Sequence, residues 1–204
     1  MRRVAQKEKV RDGHNEIRDT LLECFREVDS AAEKEVPGLA PSEPSLRPAD
    51  VLTRATTRVG EMAIDVMVRS PHAQDAGANP QLEGVRKKTK RYAEIQPELQ
   101  ALGITYMPFV WSTYGTPDAA VSQSLSVAAS KAHRASRAGT PKEALARWRC
   151  RLAVAIWRRS ARMAQSCVRP LADPDLYTEH NRGCVAAAHD DAMYGSCQAG
   201  SEED

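Results

Sequence analysis

"VGEMAIDVMVRSP", Val59 to Pro71, decides how this chain is to be read. Its middle alternates and is apolar enough to be a buried strand. Alternation sends Ile64, Val66 and Val68 one way and Ala63, Asp65, Met67 and Arg69 the other. A carboxylate at the centre of such a strand is costly to desolvate unless a cation meets it. The preceding apolar run, "LRPADVLT", carries a second acid, Asp50. The connection "RATTRVGE", with Gly60 near its end, suits a hairpin, which would bring the two acids together.

Outward from these strands the pattern is mostly helical. A helix over about Val10–Ala32 sets Val10, Ile17, Leu21, Cys24 and Val28 on one face, with His14 on the same stripe. "VPGLAPSEPSLRP" is too rich in proline for anything but a loop. "RSPHAQDAGANP" is another loop. A helix over about Gln81–Leu102 would place Leu82, Val85, Thr89, Tyr92, Gln96 and Leu99 on one side, and Pro97 should kink or end it near Gln96. "ITYMPFVWST" reads as a third strand, which Pro108 demotes to an edge or bulge. "GTPDAAV" and "GTPKEALARW" open two further helices, with Thr116 as the first N-cap and the last helix over about Pro141–Gln165. Neither has the Gly-x-x-x-x-Gly-Lys pattern of a phosphate loop. Leu145, Trp148, Leu152, Ile156 and Met163 form the buried side of that last helix; Arg147, Arg151, Arg158 and Arg162 form a basic stripe. The expected fold is α/β: a small mixed sheet of three to four strands flanked by helices, with two C-terminal helices. Residues 1–10 are expected to be flexible, 11–167 to form the domain, and 168–204 to be a disordered tail.

Composition narrows the setting. The 204 residues carry a formal net charge of +2, so overall charge names no partner. No window is long and apolar enough to span a membrane, and "MRRVAQKEKVRDG" lacks the apolar core of a secretory signal. Five scattered cysteines fit a reducing compartment, nucleus or cytoplasm. His180, Cys184, His189 and Cys197 lack the tight spacing of a zinc knuckle.

Two adjacent carboxylates repel unless a divalent ion sits between them, and Mg²⁺ is content with one or two carboxylates plus waters and phosphate oxygens. Mn²⁺ would serve similarly. On the helix "VRKKTKRYAEI", Lys88 follows Val85 by one turn and precedes Tyr92 by one turn, so it points toward the sheet. Lys87, Lys90 and Arg91 lie at the flank or toward solvent. Lys88 is therefore the base that could orient a water or neutralise a phosphate. Plainer readings stand beside these. Asp50 suits a turn, Asp65 could be solvated, Lys88 could snorkel to water, His14 suits a helix anchor, Tyr92 suits packing, and the arginine stripe suits a solvated face.

"RPADV", "AIDVMV", "RKKTKRY" and "YMPFVWSTYG", in that order, resemble the restriction-like endonuclease domain at the C-terminal end of site-specific non-LTR retrotransposon polyproteins, a branch of the PD-(D/E)xK nucleases. "GHNEIR", around His14, is similar to that family's RHN segment. The resemblance runs from about Arg11 to Gln165. It implies a metal-dependent nick in DNA, with Asp50 and Asp65 as the metal-binding acids and Lys88 supplied by the helix, four residues before Tyr92. His14 and Tyr92 would be auxiliary, and Lys87, Lys90, Arg91, Arg147, Arg151, Arg158 and Arg162 would contact nucleic acid. Met67 stands in the superfamily's usual lysine slot, Ala49 is inserted between Pro48 and Asp50, and the loop from Asp65 to Lys88 is long. With neither reverse transcriptase motifs nor a zinc knuckle, the chain reads as a detached or truncated piece of such an element. An inactive nucleic-acid-binding relic and a non-enzymatic interaction module are the alternatives, and a homodimer stays open.

Overall fold

The computed structural model describes residues 2–57, 60–136 and 139–168. Apart from Val168, the tail expected to be disordered, with the His180 to Cys197 cluster, lies outside them.

Four strands, β1 (Glu33–Lys34), β2 (Val51–Thr53), β3 (Glu61–Arg69) and β4 (Ile104–Ser112), form one sheet in chain order. β1–β2 and β2–β3 pair antiparallel, while β3 and β4 run parallel over their full length. The mixed α/β sheet and the hairpin are thus present. β1 was not anticipated, because two residues carry no periodic signal.

α1 (Arg2–Arg26), α4 (Ala119–Ser136) and α5 (Pro141–Val168) cover one face of the sheet. There Ile64, Val66 and Val68 meet Leu21 and Phe25 of α1, Leu125 of α4, and Trp148, Leu152 and Ile156 of α5. Phe109 of β4 stands edge-on between Phe25 and Trp111, at 6.4 and 5.9 Å between ring centroids. α2 (Pro80–Arg91) and α3 (Gln96–Ala101) lie on the other face, where Ala63, Tyr92, Ile95, Leu99 and Ile104 join Leu39, Ala40 and Ala49 of the proline-rich loop. β3 is therefore buried on both sides.

Several boundaries differ from expectation. α1 spans Arg2–Arg26, starting before Val10 and stopping short of Ala32. The helix expected over Gln81–Leu102 is two helices, parted between Arg91 and Gln96 with Pro97 in the first turn of α3. The contact face of α2 is also rotated. Gly84 is buried and Lys88 and Tyr92 follow it at one-turn intervals, whereas Leu82 is 43% exposed and Thr89 faces solvent. α4 is capped by Asp118, whose carboxylate accepts from the Val121 amide at 2.7 Å, and not by Thr116. At α5 the expected cap holds as a reciprocal pair: Thr140 Oγ1 accepts from the Glu143 amide and Glu143 accepts from the Thr140 amide.

β4 is an edge strand, as Pro108 suggests. Its outer rim is partly covered by the chain that follows it. Ser112 donates to the Thr116 carbonyl at 2.8 Å and Asp118 donates to the Val110 carbonyl at 3.0 Å, so residues 116–118 fold back along the strand.

Candidate active site

The site lies on β3 where its partner β2 begins. Val51 pairs with Ile64, so Asp50 enters β2 beside Asp65. Past this point β3 has no strand on that side, and Asp50 takes the strand's place: its Oδ2 accepts the Val66 amide at 2.6 Å. Its Oδ1 lies 3.1 Å from His14 Nε2. The backbone of Asp50 is held as well, since its carbonyl accepts the Glu35 amide at 3.2 Å. Glu35 adopts a left-handed backbone (φ 49°) and its carboxylate pairs with buried Arg18. His14 and Arg18 sit one turn apart on α1, so a single helix face fixes both the side chain and the backbone of Asp50.

Asp65 is 5% exposed, beneath α2. Lys88 Nζ donates to its Oδ1 at 2.9 Å, and the Tyr106 hydroxyl donates to its Oδ2 at 3.0 Å. Tyr106 comes from β4 and stacks against Tyr92 with ring centroids 5.1 Å apart. Gly84 allows α2 this close: a Cβ there would sit 2.9 Å from Val110 Cγ1 and 3.3 Å from Met67 Sδ.

Burial sets the ionisation of these groups, and their neighbours modify it. It pushes the Asp65 carboxyl up to about 6; the charge of Asp50 pushes the same way and Lys88 opposes it. Burial would also raise Asp50, but the His14 contact, the Val66 amide and the Lys88 charge together hold it below the usual carboxylate range. Burial alone would lower Lys88; the charge and hydrogen bond of Asp65 outweigh it, so the ammonium is kept. Burial and the neighbouring Asp65 charge raise both Tyr92 and Tyr106. Tyr106 is therefore a donor at any ordinary pH.

Asp50, Asp65, Lys88, His14 and Tyr92 thus fall in one place. Lys87, Lys90 and Arg91 are exposed on α2, Lys87 within 4.0 Å of Asp75 and the Arg91 guanidinium over the Tyr92 ring at 5.3 Å. The stripe on α5 lies elsewhere and its charge is spoken for. Arg147 meets Glu27 at 2.5 Å, Arg151 pairs with Glu23 and Glu27, and Arg158 and Arg162 reach Glu16 at 3.4 and 2.7 Å. These pairs join α5 to α1.

On sequence grounds a metal is the expected compensation for the two acids. The structure gives each acid protein partners of its own. Among the described residues no group of three or more His, Cys, Asp or Glu gathers into a metal cage. Two carboxylates flanked by an imidazole suit a hard ion that keeps most of its waters, and do not suit a fully protein-ligated one. Asp65 Oδ1 would have to share its charge with Lys88. Tyr106 went unforeseen, although its position two residues before Pro108 puts it on the Asp65 face.

No family model, no curated protein and no solved structure matches this chain. Among the described residues no helix is long and apolar enough to cross a membrane.

Proposed function

We propose that this chain is a DNA endonuclease domain of retrotransposon origin that nicks one strand with the help of Mg²⁺ or Mn²⁺. The observation that carries the reading is the meeting of Asp50, Asp65 and Lys88, from three separate elements, around one buried point on β3. A helix ammonium resting on a strand carboxylate beside a second carboxylate suits in-line attack on a phosphodiester.

Asp50 and Asp65 would hold the ion. Once bound, it supplies an ionised water at neutral pH and charge for the departing oxygen. Lys88 steadies negative charge on the phosphate and aligns the nucleophile from the helix side. Tyr106 fixes the rotamer of Asp65 through Oδ2, and His14 does the same for Asp50 through Oδ1. Lys87, Lys90 and Arg91 would lie along the DNA backbone; the α5 arginines, engaged with α1, contribute little there.

One observation favours a second reading, an inactive relic that still binds nucleic acid. Both acids are hydrogen-bonded within the protein, so the cluster is stable without an ion. Supercoiled plasmid separates the two. Nicking that needs Mg²⁺ or Mn²⁺ and disappears with Asp65→Ala supports the nuclease. A gel shift with no nicking supports the relic, and the absence of both overturns each.

A further inference from the structure

Arg69 ends β3 on the same face as Asp65. It is 3% exposed, packed under α2 with its Cδ 3.4 Å from where a Gly84 Cβ would lie. Its Nη2 reaches the Asp75 carboxylate and the Asp75 carbonyl, each at 2.7 Å. Its Nε–H is buried with no partner. The Lys87 ammonium lies 4.0 Å from the other carboxylate oxygen of Asp75. Asp75 itself sits in the loop between β3 and α2, with its side chain 59% exposed.

The asymmetry matters. A buried guanidinium requires an anion. The anion it has is on an exposed loop, so another anion could take its place at the guanidinium. The two cations stand on rigid elements, β3 and α2, and close around one carboxylate. A guanidinium with an unused donor beside an ammonium is a phosphate-binding pair.

We propose that Arg69 and Lys87 form a second anion subsite, for a backbone phosphate of DNA, and that Asp75 occupies it until DNA displaces the loop. This rests on the reading of the chain as one that acts on DNA. Four strand steps separate Asp65 from Arg69, about 13 Å, so the subsite lies beyond the cleavage point. The subsite would set the register of the strand at the cleavage point.

The test uses the full chain carrying Asp75→Asn, with Glu43→Gln, at an exposed loop position, as the control for an equal change of charge. Binding to a short duplex is followed without divalent ions across a salt series. Asp75→Asn should bind about five-fold tighter, with the log–log salt slope steeper by about one. Adding Lys87→Gln should cancel the gain. Identical behaviour of Asp75→Asn and Glu43→Gln overturns the subsite. Should Asp75→Asn fold poorly, inorganic phosphate is the second probe. It should raise the melting temperature of the variant more than that of the native chain, and equal shifts overturn the proposal. A gain for inorganic phosphate without one for DNA overturns the assignment to DNA. Plasmid nicking by the native chain is scored separately. Nicking without an Asp75→Asn gain leaves the nuclease standing and removes the subsite. A gain without nicking does the reverse.

Discussion

Lys88 and Asp65 meet at 2.9 Å because Gly84, one turn earlier on α2, leaves room for the helix to lie against β3 and β4. A helix seated by a glycine delivers a lysine to a strand acid, and that relationship can be tested.

Gly84→Ala should disturb the pair. Alanine is favoured over glycine in a helix by up to about 1 kcal/mol. Against that, its Cβ would sit 2.9 Å from Val110 Cγ1, with Met67 and Arg69 also close. Overpacking should win, at a net cost of about 1–2 kcal/mol by urea unfolding. Nicking should fall about ten-fold as Lys88 is displaced. Unchanged nicking would mean that the seat of the helix does not position Lys88.

Lys88→Met leaves the Asp65 carboxyl buried without its ammonium. Stability at neutral pH should drop by about 3 kcal/mol, and nicking by about a hundred-fold or more. Adding Asp65→Leu should restore much of the stability and none of the activity. Thermal unfolding of the two single variants and the double variant measures the coupling.

Burial pushes Asp65 up to about 6, so the folded chain holds a proton there that the unfolded chain releases near 3.8. The stabilisation from that proton is complete below the unfolded value and is lost as pH rises toward 6. Asp50 behaves oppositely: its folded value is depressed, so its contribution is present above 3.8 and lost as pH falls through the folded value. Holding a metal requires Asp65 ionised, so nicking should rise with pH through about 6. Carboxyl NMR should show the Asp65 titration near that value, moving downward on adding Mg²⁺. A midpoint that ignores Mg²⁺ would count against the ion.

The α1–α5 arginine pairs are exposed, and each should be worth less than about 1 kcal/mol. Arg147→Ala and Arg151→Ala should therefore unfold nearly as the native chain does and bind DNA almost as well. Lys90→Ala, on exposed α2, should weaken DNA binding and flatten the salt slope by about one. Anisotropy titrations at several salt concentrations decide between the two faces.

How much of this could be read beforehand depended on how local each signal was. "AIDVMV" declared its two faces because strand alternation needs only neighbours, and Pro97 and Pro108 marked a helix break and an edge for the same reason. Lys88 and Tyr92 face the sheet as their spacing implies, but Leu82 and Thr89 do not, and Gly84, which carries no apolar signal, sits at the contact chosen by β3 and β4. Tyr106 reaches Asp65 only through the parallel register of β3 and β4, which no nearby residue specifies. The arginine stripe looked unclaimed because its acids, Glu16, Glu23 and Glu27, lie at the far end of the chain.

Among the described residues β4 is the only long strand with an outer rim, and that rim is poorly suited to recruiting another strand. Pro108 has no amide hydrogen to offer at its centre, and residues 116–118 already occupy the Val110 and Ser112 positions. Over Pro108–Ser112 the chain itself thus obstructs sheet-to-sheet polymerisation through this edge.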